Sequence, residues 1–182
     1  MLSGASGSGK STIVRKLMDR GCFRLQVSIS ATTREPRAGE IPDGSYYFRT
    51  REEFEADRDR DNFLEWAEVH GHLYGTPVGP VRDALARGIC IILVIDVQGA
   101  LNVRAKVPNA ILIFVQAPGL ETLESRLRAR GTDDEATILK RLANARREVA
   151  LADRYDHQIL NDDLDRAVDD LAAILTRHQC GG

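Results

Sequence analysis

At 182 residues and 20.1 kDa, the chain fits one domain with room for a small inserted subdomain, and it can bury a sizeable core. Hydrophobic residues make up 43% and charged residues 29%, which excludes a disordered chain. A formal net charge of −2 argues against nucleic-acid binding through overall charge, no apolar run approaches the roughly 18 residues of a membrane span, and "MLSGASG" lacks the features of a secretory leader, so a cytoplasmic protein is expected.

In chain order, glycine and serine run directly into "KSTIVRKLMDRG", where Ile13, Val14 and Leu17 have helical spacing and Gly21 is a stop signal. "FRLQVSIS" over 23–30 alternates like a strand, and "TTREPRAGEIPDGS" after it has the composition of a loop. "YYF" at 46–48, "FLEWAEV" at 63–69 and "HLYGT" at 72–76 read as short strands of a small antiparallel subdomain, with a polar helix over about 50–59. A helix in "PVRDALARG", the apolar strand 89–95, another helix and the strand 110–116 then alternate, which implies a parallel sheet. Leu120, Leu123 and Leu127 mark one further helix, and Ile138, Leu142, Ala145 and Val149 mark the next. "HQIL" at 157–160 is a last strand, before a helix striped by Leu164, Val168, Leu171 and Leu175 and capped near Asn161 or Asp162. Cys22, Cys90 and Cys180 are widely spaced without a CxxC pair and read as reduced thiols, with Cys90 in the core.

Residues 4 to 11, "GASGSGKS", match G-x-x-x-x-G-K-[ST] in full and open a helix. In that context backbone N–H groups and the helix N-terminus cradle nucleotide phosphates, Lys10 reaches the β and γ phosphates, and the Ser11 hydroxyl can ligate Mg²⁺. A glycine-rich turn that matches by chance is the competing reading. Only Met1, Leu2 and Ser3 precede Gly4, fewer than the roughly five residues of an ordinary strand, so the strand carrying this loop is expected to be short or clipped. "IILVID" ends in Asp96, either an acid beside metal and phosphates or a helix cap. Arg34 and Arg37 stand three positions apart in "TTREPRAGE", and no N-K-x-D motif of a GTPase is present. A guanidinium pairs with phosphate through two parallel bonds, so the two arginines suit an anionic second substrate. Salt bridging to Glu35 and Glu40 is the alternative.

The strings "SISATTREPRAGEIPDGSYYF", "FLEWAEVHGHLYGTP", "IDVQGA", "RLRARGTD" and "NDDLDRA" resemble guanylate kinase at each segment, in the same order and over nearly the whole chain. The resemblance implies an α/β fold: a three-layer P-loop NTPase core with a parallel sheet, a small mixed α/β GMP-binding subdomain and a helical lid. It implies a single domain, with core about 1–30, 78–125 and 147–182, GMP-binding subdomain about 31–77 and lid about 126–146. The implied reaction is reversible, Mg²⁺-dependent transfer of the ATP γ-phosphate to GMP and dGMP, giving ADP and GDP, with neither nucleic acid nor membrane as partner.

By the same resemblance, ATP falls to Gly4, Ala5, Ser6, Gly7, Ser8, Gly9, Lys10, Ser11 and Thr12, with Arg126 and Arg130, and the metal to Ser11. The GMP phosphate falls to Arg34 and Arg37, with the hydroxyls of Tyr46 and Tyr74, and the base to Ser30, Glu65, Thr76 and Asp96. Arg141 joins the GMP site, and Lys10, Arg34, Arg126, Arg130 and Arg141 carry catalysis. Guanine chemistry agrees with Glu65, because N1–H and the N2 amine can both donate to one carboxylate. A solvated strand face for Glu65, core packing for the tyrosines and an ordinary charged surface for the lid arginines are the structural alternatives. Arg128 and Arg147 are expected to be surface residues.

The chain departs from the family at Val94, where many members carry an acid two positions before the strand-end aspartate, and at Ala5, commonly proline. Positions 94 and 96 share one side of a strand, so a carboxylate near the metal zone is replaced by an apolar group. Two rival readings stay open: a guanylate-kinase-like module that binds phosphorylated peptides, and an enzyme impaired at Val94 and the first strand.

Overall fold

The computed structural model describes residues 1–36, 39–41, 44–69, 71–129, 131 and 134–178. The elements run β1 (Leu2–Ser3), α1 (Lys10–Asp19), β2 (Leu25–Val27), β3 (Ala31–Thr32), β4 (Tyr47–Phe48), α2 (Arg51–Asp59), β5 (Phe63–Val69), β6 (His72–Pro77) and α3 (Val78–Ala86). They continue with β7 (Cys90–Ile92), α4 (Val97–Lys106), β8 (Ile113–Gln116), α5 (Leu120–Ala129), α6 (Glu135–Val149), β9 (His157–Leu160) and α7 (Leu164–Arg177).

One sheet is all parallel. β1 pairs with β8 and β8 with β9, while β2 pairs with β7, and a bridge between Leu2 and Val94 joins the two groups in the order β2-β7-β1-β8-β9. The short β1 is therefore central. Both faces of this sheet are covered by helices, as parallel sheets require. On one face Ile13, Val14 and Leu17 of α1 and Val168, Leu171 and Ile174 of α7 bury against Leu2, Ile113, Val115 and Ile159. On the other, Val97, Ala100 and Val103 of α4 and Val81 of α3 meet Leu93, Leu112 and Phe114. The core has the three layers expected of it.

The second sheet has the order β4-β3-β6-β5 and comprises residues between 31 and 77. It is mixed, since β3 and β4 are parallel while β3–β6 and β5–β6 are antiparallel, which corrects the purely antiparallel expectation. The long loop between β3 and β4 forces this: its return brings Tyr47 and Phe48 alongside Ala31 and Thr32 in the same direction. α2 is fixed by a reciprocal capping box between Thr50 and Glu53 and contributes Phe54, which stacks on Phe63 with ring centroids 4.4 Å apart.

One register detail aims the site. Phe63 pairs with Pro77 and Glu65 with Thr76, so β5 carries an extra residue between them. Simple alternation would put Phe63 and Glu65 on one face; the bulge turns Phe63 into the cluster of Ala31, Phe54 and Leu73 and Glu65 toward the opposite cavity.

Other boundaries differ modestly from expectation. Regular pairing in the 23–30 and 89–95 runs is confined to β2 and β7, with single bonds and the Leu2–Val94 bridge beyond them. The cap of α7 is Asp163, whose carboxylate accepts from Arg166 N–H at 2.9 Å, instead of Asn161 or Asp162. Cys90 is only half-buried, at the edge of the core, and Cys22 is exposed; Cys180 lies outside the described residues.

The stacked Phe54 and Phe63 rings hold the second sheet to α2. Phe54→Ala is expected to cost roughly 3–5 kcal/mol, measurable as a lowered urea midpoint, because the ring is fully buried.

Candidate active site

The loop from Gly4 to Gly9 connects β1 to α1, and its geometry explains its glycines. Gly4, Gly7 and Gly9 have φ values of +134°, +90° and +95°, in the region that side chains disfavour. A Cβ on Gly4 would sit 2.2 Å from the Val115 carbonyl oxygen, and one on Gly9 would sit 2.1 Å from Asn161 Nδ2. Asn161, buried, donates from that nitrogen to the Ser8 carbonyl at 2.7 Å. Sequence reasoning read Asn161 as a possible cap; its role is to pin the loop. Lys10 Nζ folds over the loop, donating to the carbonyls of Gly4 and Ala5 at 2.5 and 3.0 Å. Ser11 and Thr12 are exposed in the first turn of α1.

Two arginines from the α5–α6 pair reach this loop. Arg126 donates to the carbonyls of Gly7 and Asn161 at 3.5 and 3.2 Å, and Arg141 donates to Ser6 Oγ at 3.1 Å. Arg128 instead pairs with Glu124 and Glu135 on the surface, as expected for it. Arg130 and Arg37 lie outside the described residues.

Across the cleft, a cavity of about 180 Å³ is lined by Ser30, Tyr46, Glu65, Ala67, Val69, Tyr74, Val94, Ile95 and Asp96. It adjoins a second cavity of about 500 Å³ that shares Ser30, Tyr46 and Val94 and extends to Ser11. Of the residues expected around a second nucleotide, Ser30, Tyr46, Glu65, Tyr74 and Asp96 thus meet on one wall, and Val94 sits at the junction. Thr76 stands behind them: it is fully buried and its hydroxyl donates to Glu65 Oε1 at 2.6 Å. Asp96 caps α4, accepting from Gly99 N–H at 2.6 Å, so the cap reading of this aspartate is correct.

Burial pushes the Glu65 carboxyl above its ordinary value of 4.5, the Thr76 hydroxyl opposes that shift, and the nearby Asp96 charge adds to it. A Cβ on Gly99 would come 2.7 Å from Glu65 Oε2 and 3.1 Å from Asp96 Oδ1. Only glycine fits beside the two carboxylates, and the string "IDVQGA" was the available signal for it. Glu148, half-buried on the last turn of α6, was also missed; burial raises its pKa, Lys10 lowers it and Asp96 raises it, so it belongs to the same charge cluster. No periodicity distinguishes it from the other charges of α6.

Arg34 is held by its own loop. Its guanidinium donates to both Glu40 carboxylate oxygens at 2.8 and 3.0 Å and to the Glu35 carbonyl at 2.6 Å. The Glu40 hydrogen bond is the largest influence raising its pKa, against partial burial, with Tyr74 adding to the increase. Its guanidinium carbon lies 5.5 Å from the Tyr46 ring centroid. The salt-bridge alternative for this arginine is therefore real, and it coexists with a position beside the two tyrosines of the cavity.

Comparison with known proteins gives a consistent result. The family model for guanylate kinase matches residues 1–178. The guanylate kinase of Carboxydothermus hydrogenoformans is 51% identical over 176 residues, covering 97% of this chain and 86% of that one. That of Rubrobacter xylanophilus is 46% identical over 182 residues, covering 100% and 95%. The crystal structure of guanylate kinase from Anaplasma phagocytophilum superposes with a TM-score of 0.79 at 32% identity, covering 98% of this chain and 85% of that one.

The raised carboxyl of Glu65 gives a signed expectation. A folded-state pKa above 4.5 favours folding below pH 4.5 and loses that contribution as pH rises through the raised value. Glu65→Gln, which keeps the Thr76 hydrogen bond, should therefore melt above the parent protein at pH 7, with the gap closing as pH falls below 4.5. Melting curves of both proteins from pH 4 to pH 8 check it.

Proposed function

The chain belongs to the guanylate kinase family, and from that premise we propose how its residues share the work of ATP:GMP phosphotransfer, the activity it carries in purine nucleotide metabolism. The observation that carries the proposal is the pair of adjoining cavities running from Ser11 of the phosphate loop to the buried Glu65 carboxylate. Phosphoryl transfer requires two nucleotides held in line, and positioning supplies most of the rate.

In this reading residues 31–77 form the GMP-binding subdomain. Glu65, fixed by Thr76, accepts from N1–H and N2–H of guanine, with Ser30 and Asp96 completing the base site. Adenine has no N2 amine and an acceptor at N1, so it would leave a buried carboxylate unpaired; a site of this kind rejects such an analogue by about 10⁴ or more. The GMP phosphate lies against Arg34, Tyr46 and Tyr74, with Arg37 added, and Glu40 cedes Arg34 as the phosphate arrives. No residue assigned to GMP must touch the ribose 2′-hydroxyl, so dGMP is a substrate too.

ATP binds the loop of Gly4 to Thr12. Lys10 exchanges the Gly4 and Ala5 carbonyls for phosphate oxygens, and Arg126, Arg141 and Arg130 neutralise charge on the transferring group as a lid over about 126–146 closes. No general base is needed, because the GMP phosphate is ionised near pH 7. The site fits Mg²⁺: Ser11 offers a hard oxygen, and among the described residues no cluster of three or more His, Cys, Asp or Glu exists, so phosphates and water would supply the other ligands. Ser11 would hold the ion, which would supply positive charge to offset that developing in transfer. No helix among the described residues is long and apolar enough to cross a membrane, and a cytoplasmic location is part of the proposal.

The test is a coupled assay of ADP release from ATP and Mg²⁺ with GMP, AMP, CMP or UMP as acceptor. Turnover should be confined to GMP, and comparable turnover with AMP would undo the base site. Arg34→Ala should raise the KM for GMP by about tenfold or more while that for ATP changes little, as expected for loss of a charge-assisted hydrogen bond. Val94→Asp should raise the rate at limiting Mg²⁺, since it restores a carboxylate beside the metal zone; an unchanged Mg²⁺ dependence would show that Val94 is neutral.

A further inference from the structure

One face of α6 follows the phosphate loop backwards along its sequence. Arg141, Ala145 and Glu148 stand at i, i+4 and i+7, which puts them on a common side of the helix. Arg141 donates to Ser6 Oγ at 3.1 Å, and buried Ala145 packs with Ala5. Glu148 is next in that direction. Between Arg146 and Ala150 it alone is not exposed, so its side chain turns inward while its neighbours face solvent.

What it turns toward is the loop lysine. Lys10 Nζ donates to the carbonyls of Gly4 and Ala5, so the ammonium lies beside the residue on which Ala145 packs. The rise from Ala145 to Glu148 is about 4.5 Å, which carries the carboxylate along the loop from Ala5 toward Gly4. The other titratable groups facing it are Asp96, at the start of α4, and the Tyr155 hydroxyl beyond α6. Lys10 is the cation of this set. Burial raises the Glu148 carboxyl, Lys10 opposes that rise and Asp96 adds to it. None of the roles assigned above to the phosphate loop, the lid or the base site uses Glu148.

We propose that Glu148 is a positioning residue for Lys10, a carboxylate at the end of α6 that competes with ATP for the ammonium and fixes the direction from which the ammonium meets the transferring phosphoryl group. The proposal rests on the phosphate-binding role given to Lys10 above. An ammonium on a flexible four-carbon stem has no direction of its own, and here it must leave two loop carbonyls for phosphate oxygens. A carboxylate on a rigid helix restrains where it goes. The same attraction works against ATP before transfer begins, because part of the hold of Lys10 is spent on Glu148. Removing the carboxylate therefore has two effects of opposite sign: the ground-state complex tightens, and transfer from it slows.

The experiment uses Glu148→Gln, which keeps size and polarity but removes the charge, and Glu148→Asp, which keeps the charge. ATP binding is measured by calorimetry without GMP, and kcat and both KM values by the coupled assay. Glu148→Gln should bind ATP roughly three- to tenfold more tightly than the parent, as expected for release of a half-buried cation, and should lower kcat about tenfold with the KM for GMP unchanged. Glu148→Asp should restore part of both. In a Lys10→Met background the gain in ATP affinity should shrink to less than about twofold, since the effect passes through the ammonium. Tighter binding joined to slower transfer is not what lost packing produces. Unchanged ATP binding would overturn the proposal, as would weaker binding with a lowered Tm in both variants, or a gain that persists without Lys10. If the parent fails to turn over GMP, the function proposed above falls, and the calorimetry still decides the role of Glu148.

Discussion

The phosphate loop is wedged, and the rest of the molecule is organised around the wedge. Gly4 lies against the Val115 backbone of β8 and Gly9 against the Asn161 side chain, each too close for a Cβ. Backbone curled with positive φ at Gly4, Gly7 and Gly9 cannot be held by its own hydrogen bonds alone, and Asn161 and Arg126 supply the outside partners. Those partners come from the end of β9 and from α5, so the loop is fixed only when the sheet is assembled. Central placement of β1 between β7 and β8 follows from the same need, because the loop must emerge where both flanking strands end.

The second sheet solves a different problem, which is to bury a carboxylate and fix its direction. Glu65 is 5% exposed, and the Thr76 hydroxyl donates to its carboxylate at 2.6 Å. Desolvation without a cation is costly. The stacked phenylalanines, the capping box of α2 and the β5 bulge all rigidify the surroundings, which is how a small unit can tolerate an unfavourable group. In the proposed function that cost would be offset by a base that donates twice, so burial of the carboxylate and selectivity would have one origin.

Much of this was legible in the sequence and some was not, for identifiable reasons. The phosphate loop was readable because local backbone chemistry demands glycines at fixed spacing, and the helices were readable from their apolar stripes. The strand "FLEWAEV" was found, but its bulge was not, since an inserted residue leaves the alternation intact on either side and shows only in the pairing with β6. Asn161 and Gly99 were missed as site residues because their importance is a matter of contact across long sequence separations, 153 residues in the case of Asn161 and Ser8. Glu148 was invisible for the same reason: its neighbours Lys10 and Asp96 are remote in the chain. The parallel pairing of β3 and β4 depended on a loop path that composition does not encode.

The pairing of Arg34 with Glu40 has a consequence for how the proposed site distinguishes its ligand. One guanidinium nitrogen, Nη2, donates to both Glu40 carboxylate oxygens while Nη1 donates to the Glu35 carbonyl, so Glu40 already holds charge-assisted bonds that a phosphate would have to replace. A guanine nucleoside could satisfy Glu65 yet offer nothing to exchange for Glu40, and a free phosphate could displace Glu40 yet leave Glu65 dry. Neither half-ligand completes the transaction. If the proposed site works as described, the internal ion pair would make recognition conjunctive: base and phosphate would have to arrive on one molecule, and nucleosides and inorganic phosphate would compete poorly because of a contact the protein makes with itself.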